Sequence, residues 1–459
     1  MKQTGKEGIR KGIRKGLAVL FAVAMSVSAG ACGVNAKDYF GEAPGGGGEG
    51  YGEAADDALD GIGGTGETGA PGEGEGEGTE KPVRPAAGQM TAGAWDDNAE
   101  YSFFLSLFEK AADEPGQSGT DEDSMAEETD GIFQEYKSED KDVVWGMYPL
   151  GRVEARVQTA DGTPAAGVVV ELAGGGNGGS RETLRAVTGA DGKAYLFPAP
   201  SVTEYTLSAE YGGAEIPMTE EDGVFTAVVA QAQAYTGLDL CFMVDTTGSM
   251  TDELLYLQSE LDDVIGRVQA ELPEADISLG LLFYRDEGDE YVVRSSDFTP
   301  DIAAQRKFLL AQEADGGGDY PEAVHEALET ALNLSWREGT RKILIPVLDA
   351  PPHDQNAQRQ DIRAEFGKLV YRAAGEGIAV MPVAASGVDV CSQYLLRSSA
   401  LLTGGKYVFL TDDSGIGGTH QKPAVGEYTV EYLNSCLVRL IGELYDGVAR
   451  PAVDWRQET

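Results

Sequence analysis

LDLCFMVDTTGSMTDELLYL, Leu238 to Leu257, is the stretch on which the fold turns. It holds an apolar run from Leu238 to Val244, then a polar turn with one carboxylate and three hydroxyls, then leucines at helical spacing. A strand that is apolar at nearly every position suits the middle of a sheet covered on both faces. The turn therefore falls at the carboxyl end of a central strand, where open α/β sheets bind their ligands.

Within the turn, Asp245, Thr247 and Ser249 alternate, so a locally extended loop can point three oxygens into one crevice. A carboxylate with two hydroxyls is a hard donor set, suited to magnesium, manganese or calcium rather than zinc or copper. The same residues permit a plainer reading, in which Ser249 caps the following helix and Asp252 completes a box-like cap.

Two further segments extend the pattern in order: ADGGGDYPEAVHEAL, Ala314 to Leu328, and KILIPVLDAPPHD, Lys342 to Asp354. With DTTGSM they resemble the metal-ion-dependent adhesion site of the von Willebrand factor A domain family, over roughly Tyr235 to Val448. In that family five residues on three loops hold the metal. The resemblance places Asp245, Thr247 and Ser249 on the first loop and Asp349 on the third. The second loop departs from the pattern, because many members have a threonine after two glycines where this chain has Gly318 followed by Asp319. The GGGD subset of the family implies that Asp319 supplies the missing oxygen, directly or through water. Alternatively Asp319 caps a helix beginning near Pro321.

The resemblance further implies Mg2+, with Mn2+ or Ca2+ as substitutes, and a protein ligand. An ion held by hydroxyls, with carboxylates partly at one remove, stays under-neutralised. An acidic side chain from a partner can then complete its shell, and magnesium's short contacts of about 2.0–2.1 Å make that fit demanding.

Downstream, Leu254, Leu257, Leu261, Val264, Ile265, Val268 and Leu272 keep helical spacing, and apolar strands then alternate with helices as far as Tyr445. This predicts an α/β fold, a doubly wound, mostly parallel sheet, over residues 235–448, with 449–459 as a tail.

Upstream, six basic residues precede the apolar run Leu17 to Ala31, which ends in SAGAC. That run is too short to span a bilayer comfortably and reads as an export signal over 1–31. Its ending resembles a bacterial lipobox, which implies a lipidated Cys32 and an extracytoplasmic chain anchored to a cell membrane or surface; a plain signal peptide with a chance cysteine is the alternative. Residues 32–90 are rich in Gly and Glu and read as a disordered tether. Residues 91–148 are mixed, with one amphipathic helix expected over Asn98 to Ala112 and its aromatic residues packed on a neighbouring domain. Residues 149–234 alternate short β runs with turns such as DGTP and GADG, which predicts a small sandwich. They resemble the transthyretin-like, carboxypeptidase-regulatory modules of extracellular proteins.

Charge bounds the partners. The 459 residues carry a net charge of −42, and removal of residues 1–31, six bases against Glu7, leaves −47. Such a surface repels nucleic acid and anionic headgroups and favours divalent or basic partners. The three histidines, His325, His353 and His420, are scattered; His353 stands nearest the proposed site, as a rim residue. Asp286, Glu287, Asp289 and Glu290 form an acidic cluster that reads as a solvated loop or a calcium site. Cys391 and Cys436 fall on late helices, and their spacing leaves a disulfide open.

With no nucleophile and base in evidence near the metal, the expected role is binding rather than catalysis. A metal-dependent adhesion or protein-binding module leads. An envelope-assembly scaffold with a structural metal is the alternative, and a metal-dependent hydrolase ranks last.

Overall fold

The computed structural model describes residues 84–110, 131–176, 181–356, 358–418, 420 and 422–458. The expected signal segment, the lipidation site Cys32 and most of the tether lie outside them. Among the described residues no helix is long and apolar enough to cross a membrane.

The chain enters with strand β1 (Thr91–Trp95) and a short helix α1 (Tyr101–Ser106). Next come eight β elements: β2 (Val153–Thr159), β3 (Val169–Gly175), β4 (Arg181–Val187), β5 (Lys193–Leu196), β6 (Glu204–Tyr211), β7 (Ala214–Pro217), β8 (Thr219–Glu221) and β9 (Val224–Val229). They form two four-stranded sheets, ordered β5-β2-β9-β8 and β4-β3-β6-β7. Alternate residues such as Ala155, Val157, Val170, Leu172, Leu207 and Ala209 are buried in one apolar cluster, as the period-2 pattern requires.

The rest of the chain alternates: β10 (Gly237–Asp245), α2 (Thr251–Glu271), β11 (Asp276–Tyr284), β12 (Val293–Thr299), α3 (Ile302–Leu309), α4 (Val324–Leu332), β13 (Arg341–Leu348), α5 (Arg363–Gly375), β14 (Ile378–Val380), β15 (Val383–Ala384), α6 (Val390–Thr403), β16 (Tyr407–Leu410), β17 (Glu431–Tyr432) and α7 (Leu433–Asp446). Strand β10 lies between β11 and β13, parallel to both. Every residue of β10 is buried. Cys241 and Met243 face the apolar cluster that includes Val324, Leu328, Val370 and Leu395, while Leu240, Phe242 and Val244 face the cluster with Leu254, Leu261, Val264 and Leu437. Two covered faces explain the unbroken apolar run, and each such side chain contributes about 1.5–3 kcal/mol of burial.

The sheet is mixed rather than simply parallel. Its order is β12-β11-β10-β13-β15-β16-β1-β17, with β14 also on β13. Strand β12 is antiparallel to β11, and β1 is antiparallel to both β16 and β17. The α/β sheet therefore draws on residues outside 235–448, because Thr91–Trp95 closes the gap between β16 and β17. The expected tether also ends earlier than residue 90: the backbone N–H groups of Gly88, Gln89 and Met90 all donate to the Glu260 carboxylate on α2, at 2.8–3.1 Å. The helix expected over Asn98 to Ala112 is shorter, Tyr101–Ser106, and Phe104, Phe108 and Phe133 pack with Tyr394 of α6. Cys391 and Cys436 are both free thiols.

Candidate metal centre

Strand β10 ends at Asp245 and the chain turns at once through Thr246 and Thr247 into a short 3-10 turn, Gly248–Met250. Asp245 Oδ1 accepts from the Thr247 N–H at 2.8 Å and from Thr247 Oγ1 at 2.6 Å, and Thr247 Oγ1 lies 3.1 Å from Ser249 Oγ. The three alternating residues are thus brought together as the spacing implied. The capping reading of Ser249 does not hold, since the N-cap of α2 is Met250 and no side chain caps it.

Asp349 follows β13, parallel to β10 in the same sheet, so both carboxylates emerge at the same carboxyl edge. Asp245 is buried, and burial together with the Asp349 charge pushes its carboxyl up to about 7. Burial raises Asp349 as well, against an opposing hydrogen bond from Ser249. These two carboxylates and the two hydroxyls form one cluster, and Asp245 Oδ2 and Asp349 Oδ1 are buried without a partner.

The glycine loop folds over this cluster. The Gly248 N–H donates to Gly316 O at 3.1 Å and the Asp315 N–H to Thr246 O at 3.1 Å. Gly316 and Gly317 have φ of +80° and +74°, and a Cβ on Gly317 would stand 3.0 Å from Glu322 Oε1 and 3.4 Å from the Thr247 side chain. Only glycine passes so close in that conformation without strain. Ser249, Gly318, Asp319, Tyr320, Glu322 and Asp349 line the resulting cleft.

Asp319 lies on the cleft together with Ser249 and Asp349. One of its carboxylate oxygens comes together with ligand atoms of Asp286 and His353, all within 4.8 Å of one another. Nor does it cap a helix: α4 starts at Val324 after Ala323, with no side-chain cap. His353 Nε2 is 2.7 Å from Asp286 Oδ1, and Asp286 is buried, so the acidic stretch after β11 is not wholly a solvated loop.

The residue that spacing missed is Glu322. It reads from sequence as an acid at the start of a helix, yet it is buried, its Oε2 has no partner, and burial with the charges of Asp245, Asp286, Asp349 and Asp289 pushes it up to about 9. Its signal was its place in GGGDYPE, three residues after Asp319.

Among the described residues, three buried carboxylates keep unpartnered oxygens beside two hydroxyls. An uncompensated buried charge is costly, and a hard divalent ion relieves it. Asp245, Thr247, Ser249 and Asp349 therefore fit such an ion and would hold it, while Glu322 adds a neighbouring carboxyl whose oxygens do not join those of Asp245 and Asp349 within 4.8 Å.

Residues 239–366 match the family model described as the von Willebrand factor A domain. Among curated proteins, an ariadne-like RING finger protein, R811, of Acanthamoeba polyphaga mimivirus is 28% identical over 186 residues, 38% of this chain and 18% of that protein. The alpha-protein kinase vwkA of Dictyostelium discoideum is 29% identical over 118 residues, 25% of this chain and 19% of that one. The chain thus spans under a fifth of the length of these relatives. Similar solved structures include BatB from Bacteroides thetaiotaomicron (15% identity, TM-score 0.32, 45% of this chain and 98% of that one) and the pilus adhesin SpaC from Lactobacillus rhamnosus GG (12%, TM-score 0.34, 52% and 32%).

Proposed function

From a chain whose residues 239–366 carry a von Willebrand factor A domain, we propose a divalent-cation-dependent protein-binding module held at a membrane surface by a lipidated Cys32. The observation that carries the reading is that Asp245 and Asp349, each with a buried, unpartnered oxygen, stand beside the Thr247 and Ser249 hydroxyls at a cleft lined by Ser249 and Asp349. When bound, Mg2+ or a similar ion supplies a Lewis-acidic centre that seeks one more anionic oxygen. The chain's own residues hold the hydroxyls in place and keep the carboxylates out of water, at a cleft that Gly318 and Tyr320 also line. A partner's Asp or Glu side chain is the ligand that suits such an opening. The role is binding rather than turnover. The basic and apolar leader with SAGAC supports export and anchoring, and the strongly acidic composition supports partners other than nucleic acid.

Isothermal titration of the full chain with magnesium tests the reading. The segment from residue 235 onward would lack β1, so it is not a suitable substitute. Binding in the wild type and its loss in a folded Asp245→Ala are expected. Unchanged affinity in Asp245→Ala, or no binding by the wild type at metal on the order of millimolar, refutes it. For the anchor, Cys32→Ser should move the chain from the detergent phase to the aqueous phase, and equal partitioning of both forms sinks that part.

A further inference from the structure

We propose that Asp286, Asp319 and His353 form a second metal site beside the first, fitted to a borderline divalent transition ion such as zinc. The three residues come from three loops: after β11, within the glycine loop, and after β13. One ligand atom from each lies within 4.8 Å of the other two. Tetrahedral ligand atoms at about 2.0–2.2 Å from one ion lie about 3.3–3.6 Å apart, so binding draws the wider pairs in by up to about 1.5 Å and opens the His353–Asp286 pair. His353 Nε2 already stands 2.7 Å from Asp286 Oδ1.

The donor chemistry separates this site from its neighbour. The first cluster offers oxygen alone, whereas here an imidazole nitrogen joins two carboxylates. Imidazole suits zinc and related ions, and carboxylate with hydroxyl suits magnesium. Two carboxylates and a neutral imidazole balance a divalent charge and leave a fourth position for water.

The surroundings are built rather than accidental. The Asp289 carboxylate accepts from the Asp286 N–H at 3.0 Å and from the Gly317 N–H at 2.8 Å, which ties the loop after β11 to the glycine loop carrying Asp319. The Glu322 N–H donates to Pro351 O at 3.0 Å, which ties that same loop to the one carrying His353. Asp286 is 7% exposed. The cation nearest in sequence, Arg285, is engaged elsewhere, with Glu313 O at 2.9 Å and with Glu290 and Asp315. Independently, Glu322 is only 4% exposed with Oε2 unpartnered, and it feels the charges of Asp286 and Asp289 as well as those of Asp245 and Asp349. Its carboxyl therefore senses the negative charge of both clusters. An ion at Asp286, Asp319 and His353 would lock the glycine loop over the first site, and so would shape the cleft a partner meets.

The test uses the full chain, stripped with chelator and then held in excess magnesium, titrated with cobalt(II) as a spectroscopic stand-in for zinc. One equivalent should bind with ligand-field bands of a nitrogen and oxygen set, and zinc should displace it. His353→Gln should weaken that binding at least about tenfold while leaving magnesium titration unchanged. Asp245→Ala should lose magnesium and keep cobalt, so that failure of the first site leaves this one testable. The proposal is overturned if no cobalt binds in excess magnesium, or if a thiolate charge-transfer band marks Cys241, Cys391 or Cys436. It is also overturned if Asp245→Ala abolishes the cobalt signal, or if His353→Gln binds as the wild type does. Should His353→Gln not fold, Asp319→Asn at the exposed loop position replaces it, and wild-type cobalt affinity in that folded variant overturns the proposal equally.

Discussion

Two buried charge clusters of this molecule differ in one respect that separates structure from function. In the first, Arg397 on α6 is fully buried with Asp97: its Nε donates to Asp97 Oδ2 at 2.9 Å, Nη2 donates to Oδ1 and Nη1 to Ala424 O. The rings of Phe104, Phe133 and Tyr407 surround the guanidinium at 5.6–5.8 Å. In the second, Asp245, Asp349 and Glu322 share a comparable depth without a positive partner, and each keeps an unpartnered oxygen. The first cluster is closed by the chain itself and joins β1 and α1 to the sheet. The second keeps unpartnered oxygens, the observation on which the proposed ion site rests.

The comparison breaks most readily at the closed pair. Arg397→Met should cost about 3–5 kcal/mol, because it leaves the Asp97 carboxylate buried alone. Urea denaturation measures this, and a loss under about 1 kcal/mol would mean that the pair is no more than a surface-type contact.

The open cluster should respond to pH instead. Asp245 near 7 and Glu322 near 9 both lie above their ordinary values of 3.8 and 4.5, so the unfolded chain releases these protons first. The stability they confer is fully present below about pH 4 and is lost as pH rises through about 7 and then about 9. Denaturation midpoints in chelator should therefore fall across that window, and excess magnesium should flatten the slope. A midpoint that rises with pH in chelator would reverse the assignment.

Glu322→Gln sharpens the point further. Above about pH 9, where Glu322 is ionised in the folded chain, it removes one of three like charges, so the metal-free chain should melt slightly higher there while magnesium binds about tenfold more weakly. Calorimetry with and without metal reads both; a lower metal-free melting point would show that the carboxylate is satisfied after all.

Asp319→Ala should have the smallest effect on magnesium, less than about tenfold, since its carboxylate is grouped with Asp286 and His353. Abolished magnesium binding would return Asp319 to the first site.

Much of this was legible in residue order because the signals are local. The apolar run Leu238 to Val244 needs two covered faces, and Asp245, Thr247 and Ser249 meet because alternation in an extended turn brings them together. Asp349 followed from its place after another apolar strand of the same sheet. Glu322 was not legible, and Asp286 was legible only as one of an acidic cluster that could be a solvated loop or a calcium site, because such acids look the same in sequence whether buried or solvated.

What sequence alone was sufficient to specify, then, is the class of the sheet and the first-loop donor set, both governed by periodicity within a few residues. Contacts between residues far apart in the chain decided the rest: β1 completing a sheet whose other strands begin at Gly237, the backbone of Gly88 to Met90 tied to Glu260, and Asp319 brought near His353. Those choices depend on which surfaces remain uncovered once the core has packed, and on where the surplus charge then lies. Neither quantity exists until the chain has folded.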